Sequence, residues 1–290
     1  MTIHQIVAEI RQRLCGKYPK TEIESFERIL IRHFLNLTPA QAHMSRYIEL
    51  CAEKEQKIHS AIDELQNHKP IQYIIGETEF YGLPFKLTPD VLIPRPETEE
   101  LVHWILNSYD RHAELTMVDV GAGSGCISVS LAANLRNADI WAVDISKEGL
   151  AVARRNALKN KVKVHFIHDD ILKTGTMGFQ PDSIDVLVSN PPYVQPSERD
   201  RMKPNVLQYE PHIALFAPEN DPVIFYKCIA TIGTKCLKNK GKIFFEINEG
   251  LQTEVIEILT QNHYINIIPR RDINGKWRMV AAEFSRTATV

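Results

Sequence analysis

The residues Asn190-Pro191-Pro192-Tyr193 combine hydrogen-bond acceptors with a rigid backbone at the end of an apolar run. Two consecutive prolines donate no backbone hydrogen bonds and fix φ at both positions. The Pro191 carbonyl and the Asn190 side-chain oxygen therefore stand as free acceptors, and Tyr193 adds an aromatic face and a hydroxyl. Such a loop predicts a site for a group that carries two N–H hydrogens.

A planar amide or exocyclic amine nitrogen carries two such hydrogens, but it is a weak nucleophile because its lone pair is delocalised. Two acceptors that hold both hydrogens direct the lone pair at an incoming methyl group and favour the transition state by orientation and electrostatics. The nitrogen is strongly acidic after transfer, so no dedicated base is needed, and the sequence offers no obvious histidine or cysteine for that task. We predict that the catalytic residues are Asn190, Pro191 and Tyr193, and that substrate is bound by Asn190, Pro191, Pro192 and Tyr193; the alternative is a plain proline turn.

A glycine loop, Gly121-Ala122-Gly123-Ser124-Gly125, follows a second apolar run at Thr116–Val120. The glycines allow a tight turn and close approach of the backbone to a ligand, and the next helix offers free amides at its N-terminus. The dinucleotide pattern G-x-G-x-x-G is broken, because Cys126 stands in its last place. The loop therefore predicts a ligand without pyrophosphate, whose amino-acid end meets the backbone; the alternative is a turn without a ligand.

Acidic residues end the next two predicted strands. Asp144 can accept hydrogen bonds from both ribose hydroxyls, although it could also cap the helix that starts at Ser146. Of the pair Asp169-Asp170, we favour Asp170 as acceptor for an adenine amino group, with Ile171 covering the ring; a solvated turn is the alternative.

Strands and helices alternate from residue 96 to residue 290, which predicts an α/β domain with a mostly parallel sheet and helices on both faces. The predicted strands include Thr116–Val120, Ile184–Ser189 and Lys242–Ile247. Asn274-Gly275 predicts a terminal hairpin that leaves one antiparallel strand. Residues 73–95 contain a predicted hairpin, with strands at Thr78–Tyr81 and Pro84–Leu87, that joins this domain to what precedes it.

Residues 1–72 read as a small all-α bundle. Thr21 and Glu24 have the spacing of a capping box, and Thr38-Pro39 has the form of a helix start. A third amphipathic stretch carries Ile58, Ile62 and Leu65 before Pro70 ends it. The bundle is either a packing accessory or a docking module for a large partner.

Composition excludes several classes of protein. With 34 basic and 36 acidic residues, the net charge of −2 weighs against nucleic acid as the main partner. The five cysteines lack zinc spacing, so we expect a reduced chain without a metal. Neither a signal sequence nor a membrane-spanning run is evident, and we expect a cytoplasmic monomer.

The order of these segments resembles the HemK/PrmC group, the bacterial peptide chain release factor glutamine N5-methyltransferases. The resemblance covers essentially the whole chain. It is carried by the helical bundle, the hairpin, Ile93-Pro94-Arg95-Pro96-Glu97-Thr98-Glu99, the glycine loop and Asn190-Pro191-Pro192-Tyr193. The segment at 93–99 is the narrowest of these features, since the Asn-Pro-Pro-Tyr motif also occurs in DNA adenine and some RNA guanine methyltransferases.

The resemblance implies a class I methyltransferase fold, that is, a Rossmann-like seven-stranded sheet. It implies S-adenosylmethionine as the methyl donor and S-adenosylhomocysteine as the product. It also implies that the substrate is the glutamine of the Gly-Gly-Gln motif in class 1 release factors, which the bundle helps to grip. The cofactor contacts that it implies are Gly121, Ala122, Gly123, Ser124, Gly125, Asp144, Asp170, Ile171 and Asn190. Some members carry an aromatic residue where Ile171 stands.

Other functions compatible with parts of the pattern remain. A nucleic-acid amino methyltransferase could use Arg199, Arg201 and Lys203, although Glu198 and Asp200 make that stretch one of mixed charge. A protein that only senses S-adenosylmethionine has no use for the acceptor pair at Asn190. A nicotinamide oxidoreductase could use Asp144 but is excluded by the glycine spacing.

Overall fold

The computed structural model describes residues 1–287, and the chain divides into two compact units. The helical unit comprises Met1–Gly76 together with Lys203–Tyr209, and the sheet unit comprises Glu77–Met202 and the chain from Glu210 onward. A boundary drawn along the sequence at residue 72 does not include the second segment of the helical unit.

The helices are α1 (Ile3–Leu14), α2 (Lys20–Leu30), α3 (Pro39–Met44), α4 (Ala52–Gln66), α5 (Ile71–Ile75), α6 (Pro96–Asn107), α7 (Cys126–Asn134), α8 (Lys147–Lys159), α9 (Pro204–Tyr209), α10 (His212–Leu215), α11 (Ile224–Cys236) and α12 (Gln252–Gln261). The strands are β1 (Glu77–Phe80), β2 (Leu83–Lys86), β3 (Thr116–Val120), β4 (Asp139–Asp144), β5 (His165–His168), β6 (Ile184–Ser189), β7 (Leu237–Glu246), β8 (Tyr264–Arg271) and β9 (Trp277–Phe284).

The helical unit buries one apolar face from each of its longer helices. On α1 the buried positions recur every three or four residues, at Ile3, Ile6, Ile10 and Leu14, which is the period of a helix. They share a core with residues of α2 and α4. A two-pronged ion pair between Arg11 and Glu27 joins α1 to α2, with N–O distances of 2.7 and 2.8 Å.

The capping box predicted at Thr21 and Glu24 is wrong. Helix α2 begins at Lys20 with Pro19 as its N-cap, and the Pro19 carbonyl already accepts from the amides of Glu22 and Ile23. Thr21 therefore lies inside the first turn, where its side chain cannot cap. The predicted start at Thr38-Pro39 is confirmed, because Thr38 Oγ1 accepts from the Gln41 amide.

The sheet unit contains the seven-stranded sheet, in the order β5-β4-β3-β6-β7-β9-β8. Strand β9 runs antiparallel to both β7 and β8, and the other pairs are parallel, as the alternating pattern predicts. The strand order reverses between β3 and β6, and open sheets of this kind bind ligands at that reversal, beyond the carboxyl ends of the strands.

The hairpin of β1 and β2 turns at Tyr81 and Gly82, whose φ angles are +50° and +72°. Two positive φ angles in a two-residue loop match the twist of a hairpin. The terminal hairpin turns at Asn274-Gly275 as predicted, and Asp272 Oδ1 accepts from the amides of Asn274 and Lys276.

Candidate active site

The carboxyl ends of four parallel strands are joined by hydrogen bonds at one edge of the sheet. The amides of Gly121 and Ala122 donate to the Val143 carbonyl, at 2.8 and 3.1 Å. The Ser189 hydroxyl donates to the Val120 carbonyl at 2.6 Å, and the Asp169 amide donates to the Asp144 carbonyl at 3.0 Å. The same edge of the sheet therefore carries the glycine loop, Asp144, the pair Asp169-Asp170 and Asn190.

A cavity of about 240 Å³ opens at this edge. Most of the predicted site residues line it: Gly121, Ala122, Gly123, Ser124, Asp144, Asp170, Ile171, Asn190, Pro191 and Pro192. Gly125 and Tyr193 do not line it. The segment before and within α6 also contributes, and so do α10 and α11, through Leu92, Pro94, Arg95, Thr98, Ile213, Ala214, Phe225 and Ile229.

The glycine loop adopts a backbone that other residues rarely take. Gly121, Gly123 and Gly125 have φ angles of +78°, +52° and +76°. A Cβ at Gly125 would lie 3.0 Å from the Ala153 Cβ, whereas a Cβ at Gly123 would meet no atom within 4 Å. Gly125 thus allows α7 to approach α8, and Gly123 leaves open space at the cavity wall.

Asp144 holds the loop and the following helix in place. Its Oδ2 accepts from the Gly123 amide at 2.7 Å, and its Oδ1 accepts from the Ser146 amide at 2.8 Å. The helix cap itself is Ser146, whose hydroxyl accepts from the Gly149 amide. Burial raises the pKa of Asp144, and the backbone donors oppose that rise. Each carboxylate oxygen keeps a further lone pair for a ligand hydroxyl.

The two acids after β5 have different partners. Asp169 accepts from the Thr174 hydroxyl at 2.7 Å and from its neighbour's amide, so it stabilises the turn. Asp170 pairs with Lys173 at 2.9 Å, and that hydrogen bond lowers the pKa of Asp170. Both acids and Ile171 line the cavity.

Asn190 belongs to a chain of hydrogen bonds that begins at the cavity wall and ends at the buried Glu246. Its side-chain Nδ2 donates to Thr98 Oγ1 at 3.2 Å, and Thr98 Oγ1 donates to Glu246 Oε2 at 2.6 Å. The Tyr193 hydroxyl donates to the other carboxylate oxygen, Oε1, at 3.1 Å. The Tyr193 hydroxyl is therefore bound to Glu246, and its ring packs against the core of the sheet.

Glu246 is a carboxylate in the protein interior, only 1% exposed at the end of β7. Burial raises its pKa, while the Thr98 and Tyr193 hydroxyls and the positive charge of Arg278 lower it. Burial also raises the pKa of Tyr193 far above its ordinary value, so its hydroxyl stays protonated as a donor.

Thr98 and Glu246 are the site residues that sequence reasoning missed. Thr98 lies in the segment at 93–99 that carries the resemblance, but nothing in its local sequence assigns it a role in the site. The signal for Glu246 is an acid within the apolar run Ile243-Phe244-Phe245-Glu246-Ile247, which is predicted to be a buried strand. An acid is rarely found fully buried without a partner, so its presence there indicates a polar contact.

Arg95 fixes the segment that enters α6. Its guanidinium pairs with Glu210 at 2.6 Å, and Glu210 Oε2 also accepts from the Ile93 amide at 3.4 Å. Glu210 is 4% exposed. The pair holds the wall formed by Leu92, Pro94 and Arg95 to the chain just before α10.

A second buried acid lies on β3, two residues before the glycine loop. Asp119 Oδ2 accepts from the Ser128 amide at 3.1 Å, while Oδ1 has no partner within residues 1–287. Burial raises the pKa of Asp119 to about 7. Burial also raises the pKa of the Cys126 thiol to about 12, so this thiol is neutral and poorly nucleophilic.

Two other kinds of feature are absent from residues 1–287. Among residues 1–287, no three acidic, histidine or cysteine side chains are grouped so as to hold a metal ion. In the same range, no helix has the length and apolar character required to cross a bilayer.

Comparison with known families gives two matches. Residues 5–76 match the PrmC N-terminal domain, and residues 101–208 match the Methyltransferase small domain. The second match contains the glycine loop, Asp144, Asp170 and the Asn190 motif.

Curated relatives align over nearly the whole chain. The release factor glutamine methyltransferase of Flavobacterium psychrophilum is 40% identical over 287 residues, which is 98% of this chain and 100% of the relative. The protein of the same name from Bacteroides thetaiotaomicron is 40% identical over 280 residues, or 97% and 99% of the two chains. A methyltransferase from Pyrococcus furiosus has a similar fold, with a TM-score of 0.50, 17% identity and coverage of 81% of this chain and 100% of its own.

Proposed function

Because the chain belongs to the release factor glutamine methyltransferase family, we propose that it methylates the side-chain amide nitrogen (N5) of a glutamine. The target is the glutamine of the Gly-Gly-Gln motif in class 1 peptide chain release factors, and the reaction modulates translation termination. The observation that supports the chemistry most directly is the Asn190 amide, bound on one side by Thr98 at the wall of the cavity.

The residues around the cavity suit S-adenosylmethionine. Residues 121–124 present backbone at the cavity, with open space at Gly123, where the amino-acid end of the cofactor would lie, and Gly125 supports them from behind by its packing against Ala153. The lone pairs left on Asp144 would accept the ribose hydroxyls, and Asp170 with Ile171 would meet the adenine. Asp170 would exchange its exposed partner Lys173 for the adenine amino group, at little cost because surface ion pairs contribute little.

When bound, the cofactor supplies a methyl group on a sulfonium and leaves as S-adenosylhomocysteine. Asn190 Oδ1 and the Pro191 carbonyl would each accept one hydrogen of the glutamine amide, which fixes its plane and directs the nitrogen lone pair. These acceptors also stabilise the positive charge that develops on nitrogen as its bond to carbon forms. The methylated nitrogen then releases one of its two hydrogens to water, which restores the neutral amide.

The Tyr193 hydroxyl is directed into the protein, where it donates to Glu246. Tyr193 would therefore contribute by holding Glu246 and not by a direct contact of its hydroxyl with the substrate. Pro191 and Pro192 would form the wall against which the glutamine side chain packs. Residues 1–72 would dock the release factor, and residues 96–290 would carry out the methyl transfer. Residues 73–95 would link these two parts. The protein would act in the cytoplasm and as a monomer.

The experiment that tests the function offers three substrates in parallel: a purified release factor, duplex DNA and ribosomal RNA. Each is incubated with labelled S-adenosylmethionine and either the wild-type chain or the Asn190→Ala variant. A release factor whose Gly-Gly-Gln glutamine is replaced by alanine is the matched substrate control. We expect label on the unaltered release factor alone, mapped by mass spectrometry to that glutamine.

The other outcomes separate the alternatives. Label on nucleic acid only would retain the Asn190 chemistry and overturn the substrate. Label on a different glutamine of the release factor would overturn the Gly-Gly-Gln assignment. Tight cofactor binding without transfer to any substrate would favour a sensing protein.

A further inference from the structure

The orientation of the Asn190 amide decides whether the site can work. An asparagine side chain has an oxygen that accepts and an NH₂ that donates, and the two differ little in shape. The glutamine amide nitrogen is to be held by its hydrogens, so an NH₂ turned toward it would place donor against donor. The site therefore requires a feature that distinguishes the two ends of the Asn190 side chain.

Thr98 provides that distinction through the direction of its hydrogen bonds. A hydroxyl has one hydrogen to donate, and Thr98 donates it to Glu246 Oε2 at 2.6 Å. Toward Asn190 the hydroxyl can therefore only accept, and it does so from Nδ2 at 3.2 Å. The carbonyl end of the amide must then point the other way.

Glu246 fixes the direction of the whole chain when it is ionised, because an ionised carboxylate only accepts, and the Thr98 and Tyr193 hydroxyls and the Arg278 charge favour that form against burial. Its second oxygen is bound by the Tyr193 hydroxyl at 3.1 Å, so both hydroxyls that touch Glu246 must donate. The backbone is held as well, since the Tyr226 hydroxyl donates to the Glu246 carbonyl at 3.1 Å. Thr98 is 2% exposed and Glu246 is 1% exposed, so water has little access to this chain.

We propose that Thr98 is a positioning residue, which accepts from Asn190 Nδ2 and so holds Asn190 Oδ1 toward the substrate amide, with Glu246 fixing the direction of the Thr98 hydroxyl. The proposal rests on the proposed glutamine methylation. Thr98 acts through Asn190 and need not touch the substrate itself. Its place at the start of α6, after Pro94 and Pro96, gives a local reason for the rigid entry to that helix.

The test compares Thr98→Val with Thr98→Ser. Valine keeps the shape of threonine and removes the hydroxyl, whereas serine keeps the hydroxyl and removes only a methyl group. We expect Thr98→Val to lower kcat by roughly 10- to 100-fold, with the Kd for S-adenosylmethionine changed by less than about 3-fold. Thr98→Ser should retain kcat within about 3-fold, since the accepting oxygen is still present. Thermal unfolding of both variants establishes that they are folded.

A matched control removes a helical hydroxyl elsewhere. Thr260 is exposed on α12 and donates to the Ile256 carbonyl. Thr260→Val should leave kcat unchanged. A purely structural role for Thr98 would instead lower the melting temperature and leave kcat per folded molecule the same, and that result would overturn the proposal.

A double-mutant cycle with Asn190→Ala isolates the path of the effect. Single-turnover transfer of a radiolabel is sensitive enough for the slow variants. If Thr98 acts through Asn190, adding Thr98→Val to Asn190→Ala should lower the residual rate by less than about 2-fold. Independent, multiplying effects would overturn the inference.

Failure of the inference differs from failure of the proposed function. No label on the release factor with the wild-type chain overturns both. Full labelling by the wild-type chain, with Thr98→Val as active as Thr98→Ser, overturns the role of Thr98 and leaves glutamine methylation intact.

Discussion

Replacement of Asp119 by asparagine should remove a pH dependence from the stability of the sheet unit. The Asp119 carboxyl is 1% exposed, and Oδ1 lacks a partner within residues 1–287. Burial raises its pKa from 3.8 to about 7 in the folded protein. The proton is therefore bound more tightly in the folded chain than in the unfolded chain.

The sign follows from proton linkage. Between the two pKa values the folded state holds a proton that the unfolded state has lost, so stability falls as pH rises through that window. The full difference of about 3 in pKa corresponds to about 4 kcal/mol, at about 1.4 kcal/mol for each pH unit. Between about pH 5.5 and about pH 8.5, stability falls only until the pH passes the folded pKa of about 7. That part of the range is about 1.5 pH units and gives a loss of about 2 kcal/mol.

The assays are urea unfolding and thermal unfolding of the wild-type chain and of Asp119→Asn across that range. The free energy of unfolding of the wild type, relative to the variant, should fall by about 2 kcal/mol, and its melting temperature by roughly 4–8 °C. Asparagine can still accept from the Ser128 amide, and any constant cost of burying its NH₂ leaves the slope unchanged. Asp200→Asn, at an exposed position, is the control. Parallel curves for the wild type and Asp119→Asn would refute the reasoning.

Three further outcomes are expected. Asn190→Ala should reduce methyl transfer by roughly 100- to 1000-fold, while calorimetry finds cofactor affinity little changed; lost affinity with intact turnover would reverse its assigned role. Asp144→Ala should weaken cofactor binding by roughly 10- to 100-fold in calorimetry, because a charged acceptor is lost, and an unchanged Kd would reduce Asp144 to its two backbone contacts. Gly125→Ala should destabilise the fold by about 2–5 kcal/mol, because alanine disfavours the positive φ and its Cβ would crowd Ala153. Gly123→Ala should destabilise it by only about 1–2 kcal/mol, because only the positive φ opposes it. Equal losses of free energy in urea unfolding would contradict the packing argument.

The sequence predicts the central strands best. Thr116–Val120 and Ile184–Ser189 are predicted to the residue, because short apolar runs bounded by glycine or proline are typical of strands buried on both faces. The hairpin strands shift by one residue, since Tyr81 takes a positive φ in the turn instead of ending the first strand. Such a shift depends on the twist of the paired strands, which composition does not reveal.

Strand β7 is longer than its pattern predicts. The apolar signal begins near Lys242, yet the strand starts at Leu237. Asn239, Lys240 and Gly241 interrupt the signal, and Lys240 has a φ of +68°. The early part pairs with β6 through Leu237 and Ile184, across an irregularity in register. Backbone pairing of this kind leaves little trace in the spacing of side chains.

In the candidate site too, local sequence signals predict some residues and leave the long-range contacts unpredicted. The glycine loop, the acids and the Asn190 motif are each local signals at strand ends, and the parallel sheet brings them together. The bond between Thr98 and Glu246 joins residues 148 positions apart, so no local pattern encodes it. Only Glu246 gives a signal in the sequence, because it is an acid within an apolar strand.

A buried carboxylate is costly, and in other proteins the replacement of a whole buried ion pair by well-packed apolar residues is often neutral or stabilising. At the end of β7, a carboxylate is useful because it fixes the donor and acceptor direction of the hydrogen bonds that lead to Asn190. A glutamine at position 246 could donate as readily as it accepts, and the chain through Thr98 could then run in either sense. Asn190 would follow it and present oxygen or NH₂ with little preference. A substrate nitrogen that must be held by its hydrogens requires acceptors, so the group that ends the chain has to be one that never donates. Glu246 meets that condition in its ionised form, which the Thr98 and Tyr193 hydroxyls and the Arg278 charge favour, and this gives a physical reason for an acid in the core behind Asn190.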